Sequence, residues 1–135
     1  PVLQPLLPSH GPTSGGFEVV LQGSNFGLNG TVRVVGDASL SPAAERASFT
    51  VAWWLVEEYG HRVIRVKMPE GQGYNRRVRV EVGGQVSNEV SFEYDSPNVT
   101  EVVPAHGNTN GGYVLRLLGT SFGESGASVR IEIAD

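Results

Sequence analysis

The chain has no cysteine among its 135 residues. That absence excludes a disulfide framework, a thiolate metal site and a cysteine nucleophile. It leaves the compartment open, because a domain of about 100 residues can hold together on its apolar core alone. Imidazole is scarce as well, limited to His10, His61 and His106. No apolar run approaches the roughly 20 residues of a membrane-spanning helix. Neither an initiator methionine nor a signal-peptide pattern precedes Pro1, so the stretch from Pro1 to Asp135 reads as part of something longer. Charge is modest: ten Lys plus Arg against fourteen Asp plus Glu leave −4, which favours solubility and weighs against bulk nucleic-acid binding.

Glycine and proline, by contrast, are abundant. Eighteen Gly and eight Pro make up about a fifth of the chain, against a background nearer an eighth. Hydrophobic residues at 39% still suffice for a packed core, so this is not a disordered Gly-rich tail. Short apolar runs separated by turn residues point to an all-β protein.

A repeat organises the chain. Residues 8–27 read PSHGPTSGGFEVVLQGSNFG and residues 104–123 read PAHGNTNGGYVLRLLGTSFG, at a constant offset of 96 and without gaps. Ten of the twenty positions are identical, among them His10/His106, Gly16/Gly112, Gly23/Gly119 and Phe26/Phe122. A period that long suits a bead-like domain rather than a solenoid unit. The expected organisation is therefore a complete domain over 1–96 and the N-terminal part of a second over 97–135. Phe26 and Phe122 each follow a turn, where an aromatic can fold back and plug the end of a core.

Seven strand-like segments are expected in the first copy. They are Leu3 to Leu7, Phe17 to Gln22, Thr31 to Val35, Phe49 to Val56, Arg62 to Met68, Arg77 to Val82 and Val86 to Tyr94, with a polar loop over Asp37 to Arg46. In Arg77-Val78-Arg79-Val80-Glu81-Val82 the alternation is strict, placing valines in the core and charges outward. This many short strands in about 96 residues is the signature of a sandwich.

The run Pro8-x-x-Gly-Pro-Thr-Ser-Gly-Gly, then Gly23-Ser-Asn-Phe-Gly27, Met68-Pro-Glu-Gly-Gln-Gly73, Val78-x-Val-x-Val-Gly-Gly-Gln85 and Ser91-Phe-Glu-Tyr94 resembles the IPT/TIG family. The resemblance covers residues 1–96 and the second copy as far as it goes. It implies an early-set immunoglobulin-like β-sandwich, here in tandem. Such modules occur in cell-surface receptors such as plexins and the scatter-factor receptors, in fibrocystin-like ectodomains, in some DNA-binding transcription factors, and as accessory domains of starch-acting enzymes. The chain departs from the receptor subset in lacking its usual cysteines.

Catalysis finds little footing. A nucleophile needs a paired base and an orienting group. His10 and His106 are repeat-equivalent turn residues, suited to bonding local backbone, and His61 stands at a strand start without a partner Cys or a second spaced His. Gly71-Gln72-Gly73 precedes a strand rather than the helix N-terminus a phosphate loop requires, so it reads as a turn. No catalytic residue, cofactor or metal ligand is expected.

Three kinds of surface site are expected instead. Arg62, Arg65, Lys67, Arg76, Arg77 and Arg79 would form a positive strip if their two strands were neighbours, with Glu57, Glu58, Glu70 and Glu81 placed to neutralise it. Trp53 and Trp54, read as adjacent residues of one strand, would point to opposite faces, one into the core and the other outward, to meet a partner or to pack under the Asp37–Arg46 loop or against the next module. Arg77, Arg79 and this tryptophan pair are the candidate contact residues. Asn29-Gly30-Thr31 and Asn98-Val99-Thr100 are glycosylation sequons, making Asn29 and Asn98 candidate acceptors. Pro97 stiffens a short link between the copies.

The functional expectation is a non-catalytic module of a larger extracellular or cell-surface protein. Its partners would be other proteins and neighbouring modules of the same chain, and its role adhesion or spacing. The rivals are an intracellular scaffold array, a DNA-binding early-set domain and an accessory domain beside a carbohydrate-active enzyme.

Overall fold

Alternation along Arg76–Val82 (β8) sets one layer of the fold. Val78 and Val80 are buried while Arg77 is exposed, as a strand with one wet face requires. Thr31–Val35 (β4) pairs antiparallel with β8 in a register of Val32 with Val80 and Val34 with Val78, so its valines enter the same core. Val90–Tyr94 (β10) flanks β8 on the other side, and Phe49–Thr50 (β5) closes the β4 edge. His10–Gly11 (β2) runs parallel to β10, and Gln85–Val86 (β9) pairs with the end of β8. The facing layer consists of Val2–Leu3 (β1), Glu18–Ser24 (β3), Val63–Lys67 (β7) and Val56–Tyr59 (β6), paired in the order β1-β3-β7-β6. This computed structural model describes residues 1–36, 48–73, 76–123 and 129–132.

Val19 and Leu21 of β3 with Ile64 and Val66 of β7 supply one wall of the core, and Val32, Val34, Val78, Val80 and Phe92 supply the other. This is an immunoglobulin-like β-sandwich. Phe26 plugs one end with no exposed surface. Asn25 before it adopts φ 61°, Phe26 N–H donates to the His61 carbonyl at 3.0 Å, and Tyr59 Oη donates to the Phe26 carbonyl at 2.8 Å.

Several expectations are corrected. The strand expected over Phe49 to Val56 is two strands in different sheets: β5 ends at Thr50, a 3-10 turn occupies Trp53–Leu55, and β6 starts at Val56. Leu3 to Leu7 is paired at Val2–Leu3 and again by an isolated bridge from Leu7 to Val20. Arg76, grouped with the surface cations, is buried, and its Nε and Nη2 donate to the Gln72 carbonyl at 3.2 and 2.8 Å. The loop expected over Asp37 to Arg46 lies outside the described residues.

Beyond β10, three residues lead into Asn98–Val103 (β11), which pairs with Arg116–Thr120 (β12). Their register of Asn98 with Thr120 and Val99 with Gly119 repeats that of Val2 with Ser24 and Leu3 with Gly23, at the same offset of 96. A Cβ at Gly23 would run into the Val2 carbonyl, and one at Gly119 into the Asn98 carbonyl. Local geometry therefore repeats with the sequence, whereas burial does not: Phe122 is 41% exposed where Phe26 is sealed.

Candidate interaction surface

The 3-10 turn decides where the tryptophans go. With about three residues per turn, successive side chains diverge by roughly 120° rather than the 180° of a strand, so neighbours can share one face. Leu55 N–H donates to the Ala52 carbonyl at 2.9 Å and closes the turn. Both rings stand in solvent, Trp53 81% and Trp54 69% exposed, edge-to-face with centroids 5.8 Å apart. The expectation that one of them enters the core is overturned. Tryptophan at that exposure presents a large apolar area with few rotamers to freeze, the profile of a contact residue.

Beside the pair runs a groove of about 540 Å³ between β4 and β5 on one side and β6 on the other. Leu28, Asn29, Gly30, Thr31, Trp53 and Tyr59 are among its lining residues. Among the described residues both β5 and β6 are edge strands, and the groove lies along that margin of the sandwich. Asn29 is exposed in the turn before β4. Asn98, the other sequon residue, is exposed at the start of β11.

The basic cluster does not form one strip. Arg65 and Lys67 lie on β7 in one sheet, with Arg62 just before it, while Arg77 and Arg79 lie on β8 in the other. Arg65 pairs across strands with Glu18 at 3.6 Å and Glu58 at 3.1 Å, and Lys67 with Glu57 at 3.5 Å. These are exposed, screened pairs that chiefly leave the β7 face electrically mixed. Arg79 binds Glu81 two residues along its own strand, at 2.9 Å, while Arg33 of β4 stands directly opposite Arg79 in the register. The Arg33 side chain, which the sequence reading passed over, keeps a buried Nε without a hydrogen-bond partner. Its signal lay in the shared alternation of β4 and β8, visible only once their register is known.

His10 does not bond local backbone. Its Nδ1 lies 2.8 Å from Asp95 Oδ1, joining β2 to the segment after β10. Among the described residues no three of His, Asp or Glu converge in a way that could hold a metal ion.

Residues 1–94 match the IPT/TIG domain. This chain belongs to the IPT/TIG family. Mouse Plexin-B2 is 29% identical over 140 residues, an alignment that covers 100% of this chain and 7% of that protein. The chain is thus a small part of the length of the relative it matches. The surface of this module consists of loops, strand edges and outer faces, and the tryptophan turn exposes two large rings side by side on it.

Proposed function

We propose that this chain is a non-catalytic immunoglobulin-like stretch of a larger extracellular or cell-surface protein, where it spaces neighbouring modules and makes contacts with other proteins. The observation that carries the reading is the pair of adjacent, solvent-facing tryptophans on the sandwich margin. Family membership and the likeness to mouse Plexin-B2 along the whole chain support the receptor-like setting. Residues 1–96 act as one module and 97–135 begin a second, linked through Asp95, Ser96 and Pro97. Gly123 N–H donates to Thr13 Oγ1 at 3.3 Å, a contact that favours a fixed angle between the two. The tryptophan turn, Trp53 and Trp54, supplies the main contact patch, with Trp54 as the ring that meets the protein partner. Arg77 and Arg79 on β8 form a secondary, polar one, with Asn29 and Asn98 as glycan acceptors.

Two measurements test this. An antibody against residues 1–96 should label intact source cells; labelling only after permeabilisation would refute the cell-surface setting. A photoreactive residue placed at position 54 of the full-length protein should crosslink to another protein on those cells, while one at exposed Gln22 should not. Equal yields at the two positions would remove the tryptophan turn as the contact.

A further inference from the structure

Asn29 and Trp53 reach the same groove by two independent routes. Both line its wall. The β4–β5 ladder also pairs Arg33 with Thr50 and Val34 with Phe49, and Val51 N–H continues it to the Val32 carbonyl at 2.9 Å. Gly30 precedes β4 and Trp53 follows β5 at the same end of that ladder, so the turn that carries Asn29 and the turn that carries Trp53 flank one groove. Gly30 holds the turn in place, because a Cβ there would run into Tyr59 Oη and the Glu81 carbonyl. The acceptor amide is thus seated on the wall of a groove whose exposed surfaces include the Trp53 ring and Leu28.

We propose that Asn29 carries an N-linked glycan whose first sugars lie in this groove against Trp53. The inference rests on the extracellular reading given above. In the transfer, the Asn29 side-chain nitrogen forms a bond to the sugar C1 of a lipid-linked oligosaccharide. The C1–O bond to the lipid diphosphate breaks, the diphosphate leaves, and the amide nitrogen gives up one proton. Pyranose rings have apolar C–H faces that stack on indole, and a tethered sugar meets the ring at high effective concentration, so a weak stacking contact is well populated. The docked sugars cover the edges of β5 and β6 that no strand among the described residues pairs, edges of the kind that invite strand pairing with other chains. They occupy the Trp53 side of the tryptophan pair and leave Trp54 to the protein partner. Asn98 serves as the internal control, since it lies in β11 away from the groove.

The test uses the whole chain secreted from a eukaryotic cell line, which loads the acceptor whatever the native compartment. Failure of surface labelling on source cells therefore remains distinct from failure here. Glycopeptide mass spectrometry should find Asn29 occupied, and Thr31→Ala should abolish that occupancy. The N-acetyl methyl proton of the first sugar on Asn29 should be shifted upfield by the indole ring current. A glycan-releasing amidase should strip Asn29 in the folded chain roughly ten-fold more slowly than Asn98, since it attacks only the undocked sugar. Trp53→Ala, and separately Trp53→Leu, should return the methyl shift to that of the Asn98 sugar and equalise the release rates. A bare Asn29 in the secreted chain overturns the proposal. So does an occupied Asn29 whose shift and release rate match those of Asn98 and ignore Trp53.

Discussion

The side-chain amide of Asn88 closes both backbone hydrogen bonds of Leu3: Leu3 N–H donates to Asn88 Oδ1 at 2.7 Å, and Asn88 Nδ2 donates to the Leu3 carbonyl at 2.8 Å. Leu3 lies on the edge strand of one sheet, and Asn88 lies between β9 and β10 of the other. One amide thus stands in for a missing neighbour strand and ties the two layers together. Ser87 prepares its position, accepting from Val80 N–H at 2.9 Å and donating to the Asn88 carbonyl at 2.8 Å. Asn88→Ala should lower stability by about 1–2 kcal/mol, the cost of leaving two part-buried backbone groups without partners. Asn88→Asp should be no better, because a carboxylate accepts from Leu3 N–H but cannot donate to its carbonyl. Urea unfolding of both variants checks this. A wild-type midpoint for Asn88→Ala would show that water replaces the amide at no cost.

Gly23 makes the same edge sensitive to a single methyl group. A Cβ there would collide with the Val2 carbonyl, and that atom is backbone, so only movement of β1 relieves the clash. Gly23→Ala should detach β1 and cost about 1–3 kcal/mol, the usual range for overpacking. The local readout is hydrogen exchange at Gln4 N–H, which donates to the Gln22 carbonyl at 2.9 Å in the parent. Unchanged protection at Gln4 would mean that β1 absorbs the methyl without leaving β3.

The two copies of the repeat separate local geometry from packing. Phe26 and Phe122 follow equivalent turns, yet only Phe26 is sealed. Phe26→Ala should cost about 3–5 kcal/mol, and Phe122→Ala, at the surface, about 0.5 kcal/mol or less. Residues 97–135 as an isolated peptide should be unfolded, since their described part is a two-stranded ribbon with exposed apolar side chains, too little for a core. Comparable losses for the two Phe variants, or cooperative melting of the peptide, would show that the second copy packs better than its exposure indicates.

Much of this architecture was readable beforehand because the devices are local. The turns at Gly15-Gly16 and Asn25-Phe26, the alternation of β8 and the end plug at Phe26 each follow from residues a few positions apart. The misreadings of the tryptophans and of the basic strip depended on which sheet a strand joins. Between Phe49 and Val56 there is no Gly or Pro, and the composition is β-prone, so periodicity suggests one strand. In the fold, Val51 is held to β4 while Val56 pairs with Val66 of β7, and the chain must turn between them. That crossover brings both tryptophans to the surface, and the membership of β7 and β8 in opposite sheets splits the arginines. Neither consequence is encoded within a window of ten residues. The approach of Asn29 to Trp53 likewise depends on the β4–β5 register, which no local pattern supplies.

Tyr59 gives the sandwich an alkaline limit. Burial pushes its phenol above the ordinary value of 10.0, and its Oη donates to the Phe26 carbonyl, a bond the phenolate cannot make. The folded chain therefore holds this proton to higher pH than the unfolded chain does. Where the unfolded state has released the proton and the folded state has not, the unfolded state binds fewer protons, and stability falls as pH rises. The contribution is complete below about pH 10, the unfolded value, and declines above it until the folded phenol also ionises. Tyr59→Phe should cost roughly 0.5–1.5 kcal/mol at neutral pH for the lost hydrogen bond. It should also flatten the alkaline decline, so that the gap between parent and variant narrows as pH rises. Urea midpoints of both proteins at about pH 8 and about pH 11, on either side of the ordinary phenol value, measure this directly. A gap of constant size would mean that Tyr59 ionises as freely in the fold as outside it, and that the Phe26 carbonyl does not depend on its proton.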